Sequence, residues 1–262
     1  RDMGQYQESY KGYLEALQVG SLTPDIKNFA IIIGNVAEIL LENSIVRLGL
    51  RGSKIAVALL EAAGDNSYRM YFLQTLALSL SKCNKRTRAI KVVNESINLA
   101  HSMKDYYEES NSRHTKAEIL RSFGNTSEIL KELKKAHELA ESTGHLFIQG
   151  VSGYQFGLLS YYTGKPLNRE LISKSICVLS QISAKRELFS FLLEAVKMIL
   201  RNPLRNSCLF SFIPKVLHRE LIYDLFKRIY FFLWLRLVGA NKFHLWLEKI
   251  EQTFQEVLKN RK

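Results

Sequence analysis

The chain has 262 residues, of which 47% are hydrophobic and 24% charged, enough apolar material for a large core and too much for a disordered tail. Lys and Arg number 37 against 25 Asp and Glu, a formal net charge of +12 that suits an acidic partner without naming one. Fourteen Gly and four Pro are too few to turn the corners of a β sandwich, so the composition predicts long helices.

In chain order the apolar spacing and turn residues predict helices near 4–19, 25–43, 46–63, 67–82, 85–103, 107–123, 125–143, 147–162, 166–183 and 186–201. Ile90, Val93, Ile97 and Ala100 form one amphipathic stripe, and Ile129, Leu133, Ala136 and Ala140 another. Thr23-Pro24 and Asn202-Pro203 each set a capping side chain before a proline at a helix start. Asn125 with Glu128 fits a capping box. Gly49-Leu50-Arg51-Gly52-Ser53-Lys54 has the wrong spacing for a phosphate-binding loop and reads as a helix start.

These helices repeat with a period of 40 residues. Small residues recur at Ala37, Ala77, Ala117 and Gly157, followed by Leu40, Leu80 and Leu120. A second ladder runs Leu59, Leu99, Leu139, Leu179, and a third Ala16, Ala56, Ser96, Ala136. Turn-forming residues recur at Gly4, Ser44, Asn84, Gly124 and Gly164, where the left-handed conformation can end a helix. Each unit is then a pair of helices, small residues marking their close contacts. Because no such pair buries its apolar face alone, the units must stack into a right-handed superhelix.

Two groups of residues resemble the tetratricopeptide repeat. Gly4, Tyr6, Ser9, Tyr13, Ala16 and Leu17 are similar to the second half of that motif, and Leu73, Leu76, Ala77, Leu80, Ala89, Ser96 and Ile97 to both halves. The resemblance covers about residues 1–183 and continues to about 220 through Val196, Leu200, Val216 and Leu217, with Lys197 in place of a small residue. The period exceeds the family's usual one, as in the long-helix sensor domains of large bacterial and archaeal regulators, and Arg113 and Lys116 occupy positions usually apolar. HEAT and armadillo repeats have a similar period but lack this set of small residues. The resemblance implies an all-α, right-handed α-α superhelix of five to six helix pairs. It implies a helical-repeat solenoid over 1–221, and 222–262 as capping helices of the same unit. Since Gly4 already occupies a turn, the register predicts a C-terminal piece of a longer protein.

Residues 222–240 are aromatic, with Tyr223, Phe226, Tyr230, Phe231, Phe232 and Trp234, and 241–262 follow with Phe243, Trp246, Ile250, Phe254 and Val257 at helical spacing. This predicts a capping helix pair, with dimerisation or a membrane-surface contact as the sharper reading. Leu221–Gly239 carries Asp224, Lys227, Arg228 and Arg236, too many charges for a transmembrane span. Cys83, Cys177 and Cys208 show no metal or disulfide spacing and fit a reducing cytoplasm. The motifs of a P-loop, a zincin, a nucleophile elbow and a dinucleotide fold are all absent, and His101, His114, His137, His145, His218 and His244 are scattered. No enzyme activity, metal or cofactor is expected.

The family register implies a concave groove lined by Tyr71, Gln74, Asn111, His114, Arg121, Tyr154, Tyr161, Glu194 and Arg201. Amides can bond an extended backbone, arginines can pair with carboxylates, and rings can cover side chains. The expected function is a protein-interaction scaffold or sensor in a signalling or transcription regulator. Its partner would be a protein segment or another domain of the same longer chain. Tyr154 and Tyr161 are the groove residues most suited to packing, and with His114 they could instead border a small-molecule pocket. The alternative is a nucleic-acid-binding solenoid, since residues 185–262 hold 15 Lys and Arg against 7 Asp and Glu.

Overall fold

Six of the long helices, those starting at Val46, Asn66, Arg86, Tyr106, Leu146 and Lys185, begin just after a left-handed residue that ends the helix before. The computed structural model describes residues 25–123 and 125–216, with Gly12, Tyr13, Glu15 and His244 beyond them. Positive φ occurs at Ser44, Gly64, Asn84, Lys104, Gly144, Gly164 and Ser183, one turn about every twenty residues. The forty-residue turn ladder is therefore half of a finer one, because both helices of a pair end in the same way.

The helices are α1 (Ile26–Glu42), α2 (Val46–Ala62), α3 (Asn66–Lys82), α4 (Arg86–Ser102), α5 (Tyr106–Arg121), α6 (Thr126–Thr143), α7 (Leu146–Tyr162), α8 (Arg169–Gln181) and α9 (Lys185–Arg201). Short segments follow: α10 (Pro203–Asn206), a 3₁₀ turn (Ser207–Phe212) and α11 (Ile213–Val216). The predicted spans match closely, except that α8 begins three residues later than expected, after its cap Asn168. Gly49–Lys54 lies inside α2 rather than at its start, because the left-handed Ser44 lets α2 begin at Val46. The predicted helix at 4–19, the Thr23-Pro24 cap, Gly124 and the aromatic segments of 222–262 lie outside the described residues.

N-caps follow the same period. Asp25, Asp65 and Asp105, forty residues apart, accept from the amides of Asn28, Tyr68 and Glu108 at 3.1, 2.9 and 3.0 Å. Asn125 accepts from the Glu128 amide at 3.3 Å, and its own Nδ2 donates to the Glu128 carboxylate at 2.9 Å, so half of the predicted capping box forms. Asn202 caps α10 ahead of Pro203 as expected.

The chain divides into two compact units, one of Arg1–Leu99 with Arg228–Lys262, the other Ala100–Lys227. In the first, Ala37, Leu40, Ala56, Leu60, Ala77 and Leu80 are buried between α1, α2 and α3. A Cβ on Gly34 would meet the Phe72 ring at 2.3–2.5 Å, so the missing side chain is what admits that buried phenylalanine. Ser96 is small for contact and also donates to the Met70 carbonyl at 2.7 Å, tying α4 to α3.

In the second unit Ala117, Leu120, Leu133, Ala136 and Ala140 fill the space between α5, α6 and α7. A Cβ on Gly157 would lie 2.9 Å from Ile172, the close approach of α7 to α8 that the small-residue ladder predicts. Leu200 is 75% exposed rather than buried with the repeat, because α9 turns its core stripe of Leu188, Phe191, Leu192, Ala195 and Ile199 the other way. Val216 is fully buried. Cys83, Cys177 and Cys208 are free thiols. Among the described residues no helix is long and apolar enough to cross a membrane.

The charges at Arg113 and Lys116 find their partners across the α5–α6 contact. Glu132 lies 3.1 Å from Arg113 Nη1 and 3.0 Å from Lys116 Nζ, while Glu109 receives Arg113 from the preceding turn at 2.6 Å and His101 at 3.0 Å. Burial alone would raise the Glu109 carboxyl, but its bonds from His101 and Arg113 outweigh that and hold it below the usual range. An ionic cluster here replaces the apolar contact of a standard repeat.

His145 occupies the N-cap of α7, where the fourth aspartate of the cap ladder would stand. Its ring stacks on Tyr107 at 3.6 Å between centroids, and Nδ1 lies 3.1 Å from Ser110 Oγ. Burial lowers its pKa to about 4, and a helix N-terminus further disfavours a cation. In the unfolded chain the ordinary value near 6.5 returns, so the unfolded state binds the proton first as pH falls. Stability from His145 is complete above pH ~6.5 and is lost toward pH ~4, by up to about 3 kcal/mol. His145 makes no side-chain cap bond, so His145→Asn removes the titration and adds a pH-independent cap. Subtracting its urea-unfolding pH profile from the wild-type profile should leave that slope, and a flat difference would contradict it.

Candidate functional site

Of the groove residues predicted from sequence, Tyr71 and Gln74 lie in the first unit and the other seven in the second. Tyr71 donates from its hydroxyl to Glu38 at 3.0 Å, and Gln74 is buried. The second unit brings the remainder onto α5, α7 and α9, the first-type helices of successive pairs.

Gln74, His114, Tyr154 and Glu194 stand forty residues apart, and the first three are buried. In the second unit this column lies between consecutive first-type helices. His114 Nε2 is 3.2 Å from Gln155 Oε1 on α7, and the Tyr154 ring meets Phe191 of α9 edge to face at 5.5 Å. Burial holds the His114 imidazole below its ordinary value, with the Glu118 carboxylate opposing the shift and the Arg121 guanidinium adding to it. Burial pushes the Tyr154 phenol up, and the Glu194 and Glu118 carboxylates act in the same sense. Both side chains are neutral near pH 7, as an apolar interior requires.

Tyr161 also packs. Its hydroxyl donates to the Arg205 carbonyl at 2.6 Å, and the Arg205 guanidinium lies 5.6 Å from its ring centre, so this tyrosine pins α10 to α7. Accessible polar chemistry remains at Asn111, Arg121, Glu194 and Arg201. Asn111 is half-buried, with Nδ2 3.4 Å from the Glu108 carboxylate. Arg121, in the last turn of α5, pairs with Glu194 of α9 at 2.9 Å, and both side chains are about one-third exposed. Arg201, forty residues beyond Tyr161, is exposed.

The face is thus a buried, neutral polar floor of His114, Gln155 and Tyr154 beside an ion pair that is about one-third exposed. Gln155 and Glu118 also belong to this face, outside the residues that the family register implies. Gln155 continues a column of buried polar residues through Thr75 and Thr115, a visible signal at the same period. Among the described residues no three His, Cys, Asp or Glu side chains gather to hold a metal ion.

No family model and no curated protein matches the sequence. A solved structure of a Rap protein complexed with competence and sporulation factor superposes with a TM-score of 0.65 at 14% identity, over 97% of this chain and 74% of that one. The fold is tetratricopeptide-like. The chain is accordingly an all-α helical repeat of the α-α superhelix class, as the ladders of small and turn-forming residues predict.

Proposed function

We propose that the chain is a non-catalytic interaction scaffold or sensor that holds a segment of a protein partner on the α5, α7 and α9 face of its second unit. The observation that carries this reading is the Arg121–Glu194 pair, an accessible guanidinium and carboxylate joining α5 to α9 beside the neutral polar floor. Asn111 offers a donor and an acceptor to an extended backbone, and Arg121 and Arg201 offer forks for carboxylates. The fold adds support, since the Rap protein that shares it was solved with a bound factor. In this reading Tyr154, Tyr161 and His114 shape the floor, and Tyr71 and Gln74 hold the equivalent face of the first unit. The scaffold would serve a larger signalling or regulatory protein in the cytoplasm, with no cofactor.

The test is recovery of a partner from the source-cell lysate at low and high salt with nuclease treatment. A protein that survives both should be recovered at least ~10-fold less well by the Asn111→Ala, Arg121→Ala double variant, the loss of about 1.4 kcal/mol expected of a binding hot spot. Lys131→Ala with Lys135→Ala on exposed α6 positions should leave recovery unchanged. Equal recovery by the Asn111, Arg121 variant would overturn the assignment.

A further inference from the structure

One edge of the first unit is cationic without a structural reason for being so. Lys82, at the end of α3, donates from Nζ to the Leu41 carbonyl at the end of α1, 3.2 Å away. The turns that open α2 and α4 are therefore neighbours. Around them Arg47, Lys85, Arg88 and Lys91 are exposed, and none has an ionic partner among the described residues. The carboxylates of α2 and α4 are engaged farther along: Glu61, near the opposite end of α2, and Glu95 both meet Arg69.

These cations also oppose the local backbone. Neither α2 nor α4 has an acid in its first turn, as is also true of α1, α3 and α7, and α2 has no side-chain cap, whereas Asp25 and Asp65 cap α1 and α3. Positive charge at a helix N-terminus works against the helix dipole, so Arg47 and Arg88 weaken the helices they begin. Residues that break a local rule without a compensating contact point to function.

Among the described residues the edge has no apolar anchor. In the first unit the exposed large hydrophobic residues among those described are Ile26 and Tyr68, which start α1 and α3 at the opposite ends of those helices. A protein partner would need such an anchor for its affinity. A ligand whose own backbone carries regular negative charge would not, and without an exposed ring there is no platform for stacking bases. We infer that the edge formed by Arg47, Lys85, Arg88 and Lys91 binds the phosphate backbone of nucleic acid without reading its sequence. None of these four residues belongs to the segment-binding face proposed for the second unit or to residues 185–262.

The test is fluorescence anisotropy of the full chain with a labelled, mixed-sequence DNA duplex of about twenty base pairs, between about 50 and 200 mM salt. Four phosphate contacts predict a log–log salt slope of about −4. Arg47→Glu, Arg88→Glu and Lys91→Glu together should reduce the slope by about 3 and weaken binding at least ~10-fold at the lower salt. The same variant should melt about 2–4 °C higher, because acids replace cations in two first turns. Binding lost together with a raised melting temperature separates this role from simple unfolding. Lys131→Glu, Lys134→Glu and Lys135→Glu, exposed on α6, carry the same change in net charge and should leave binding within about twofold. An equal loss in that control, no binding at the lower salt, or stronger competition by a polyglutamate of equal charge would each overturn the inference.

Discussion

Glu132→Ala should destabilise the chain by about 3–5 kcal/mol, among the largest effects of any single substitution here. The carboxylate is 6% exposed, and its partners Arg113 and Lys116 are 17% and 14% exposed. Removing it leaves Lys116 with the more distant Glu128 at 3.9 Å and leaves Arg113 dependent on Glu109 alone. The cost is that of stranding buried positive charge, rather than the net value of the pairs. Replacing the cluster as a whole should therefore behave differently. Glu132→Leu with Arg113→Met, Lys116→Met and Glu109→Leu should recover most of the lost stability, since no buried charge then remains unpaired. Urea-unfolding midpoints of the single and quadruple variants decide this. A cost below about 1 kcal/mol for Glu132→Ala would mean that water reaches the cluster.

Phe191→Ala should cost about 3–5 kcal/mol for a different reason. The ring is fully buried, meeting Tyr154 edge to face at 5.5 Å and Phe212 at 6.2 Å. Truncation removes transfer free energy, opens a cavity among residues of α7, α8 and α9, and forfeits two aromatic contacts of about 0.5–1.5 kcal/mol each. Phe191→Leu, which fills most of the space, should cost far less. Amide exchange should show protection falling in α7 to α9 for the alanine variant while α1 to α3 keep theirs. Uniform loss throughout the chain would contradict a local origin.

Helix boundaries were legible in the sequence because the features that set them are local. Gly164 takes its left-handed turn freely and Asn84 tolerates one, although Ser44 does so against its own preference, and Ala37, Ala77 and Ala117 are small whatever packs against them. The aspartate caps at 25, 65 and 105 are a further local signal at the same period. The face of each helix was harder to read. Gln74, His114 and Tyr154 read as outward residues of a groove, yet they are buried, since helix crossing angles decide whether such a column meets solvent or the next helix. Arg113 and Lys116 read as departures from the family pattern. Their partner Glu132 lies on the following helix at a spacing unrelated to the repeat, so no ladder could announce it.

The regular cadence of left-handed turns limits how this chain can change in length. An extra residue inside a helix rotates everything beyond it by about 100° and would carry a column such as Ala37 and Leu40 away from its neighbours. An extra residue at Asn84 or Gly164 meets no such constraint, because a turn already interrupts the helical phase there. Insertions, deletions and fused domains should therefore be tolerated at intervals of about twenty residues and rejected between them. Because first-type and second-type helices alternate, the forty-residue pair is the smallest piece in which this sequence can be rearranged.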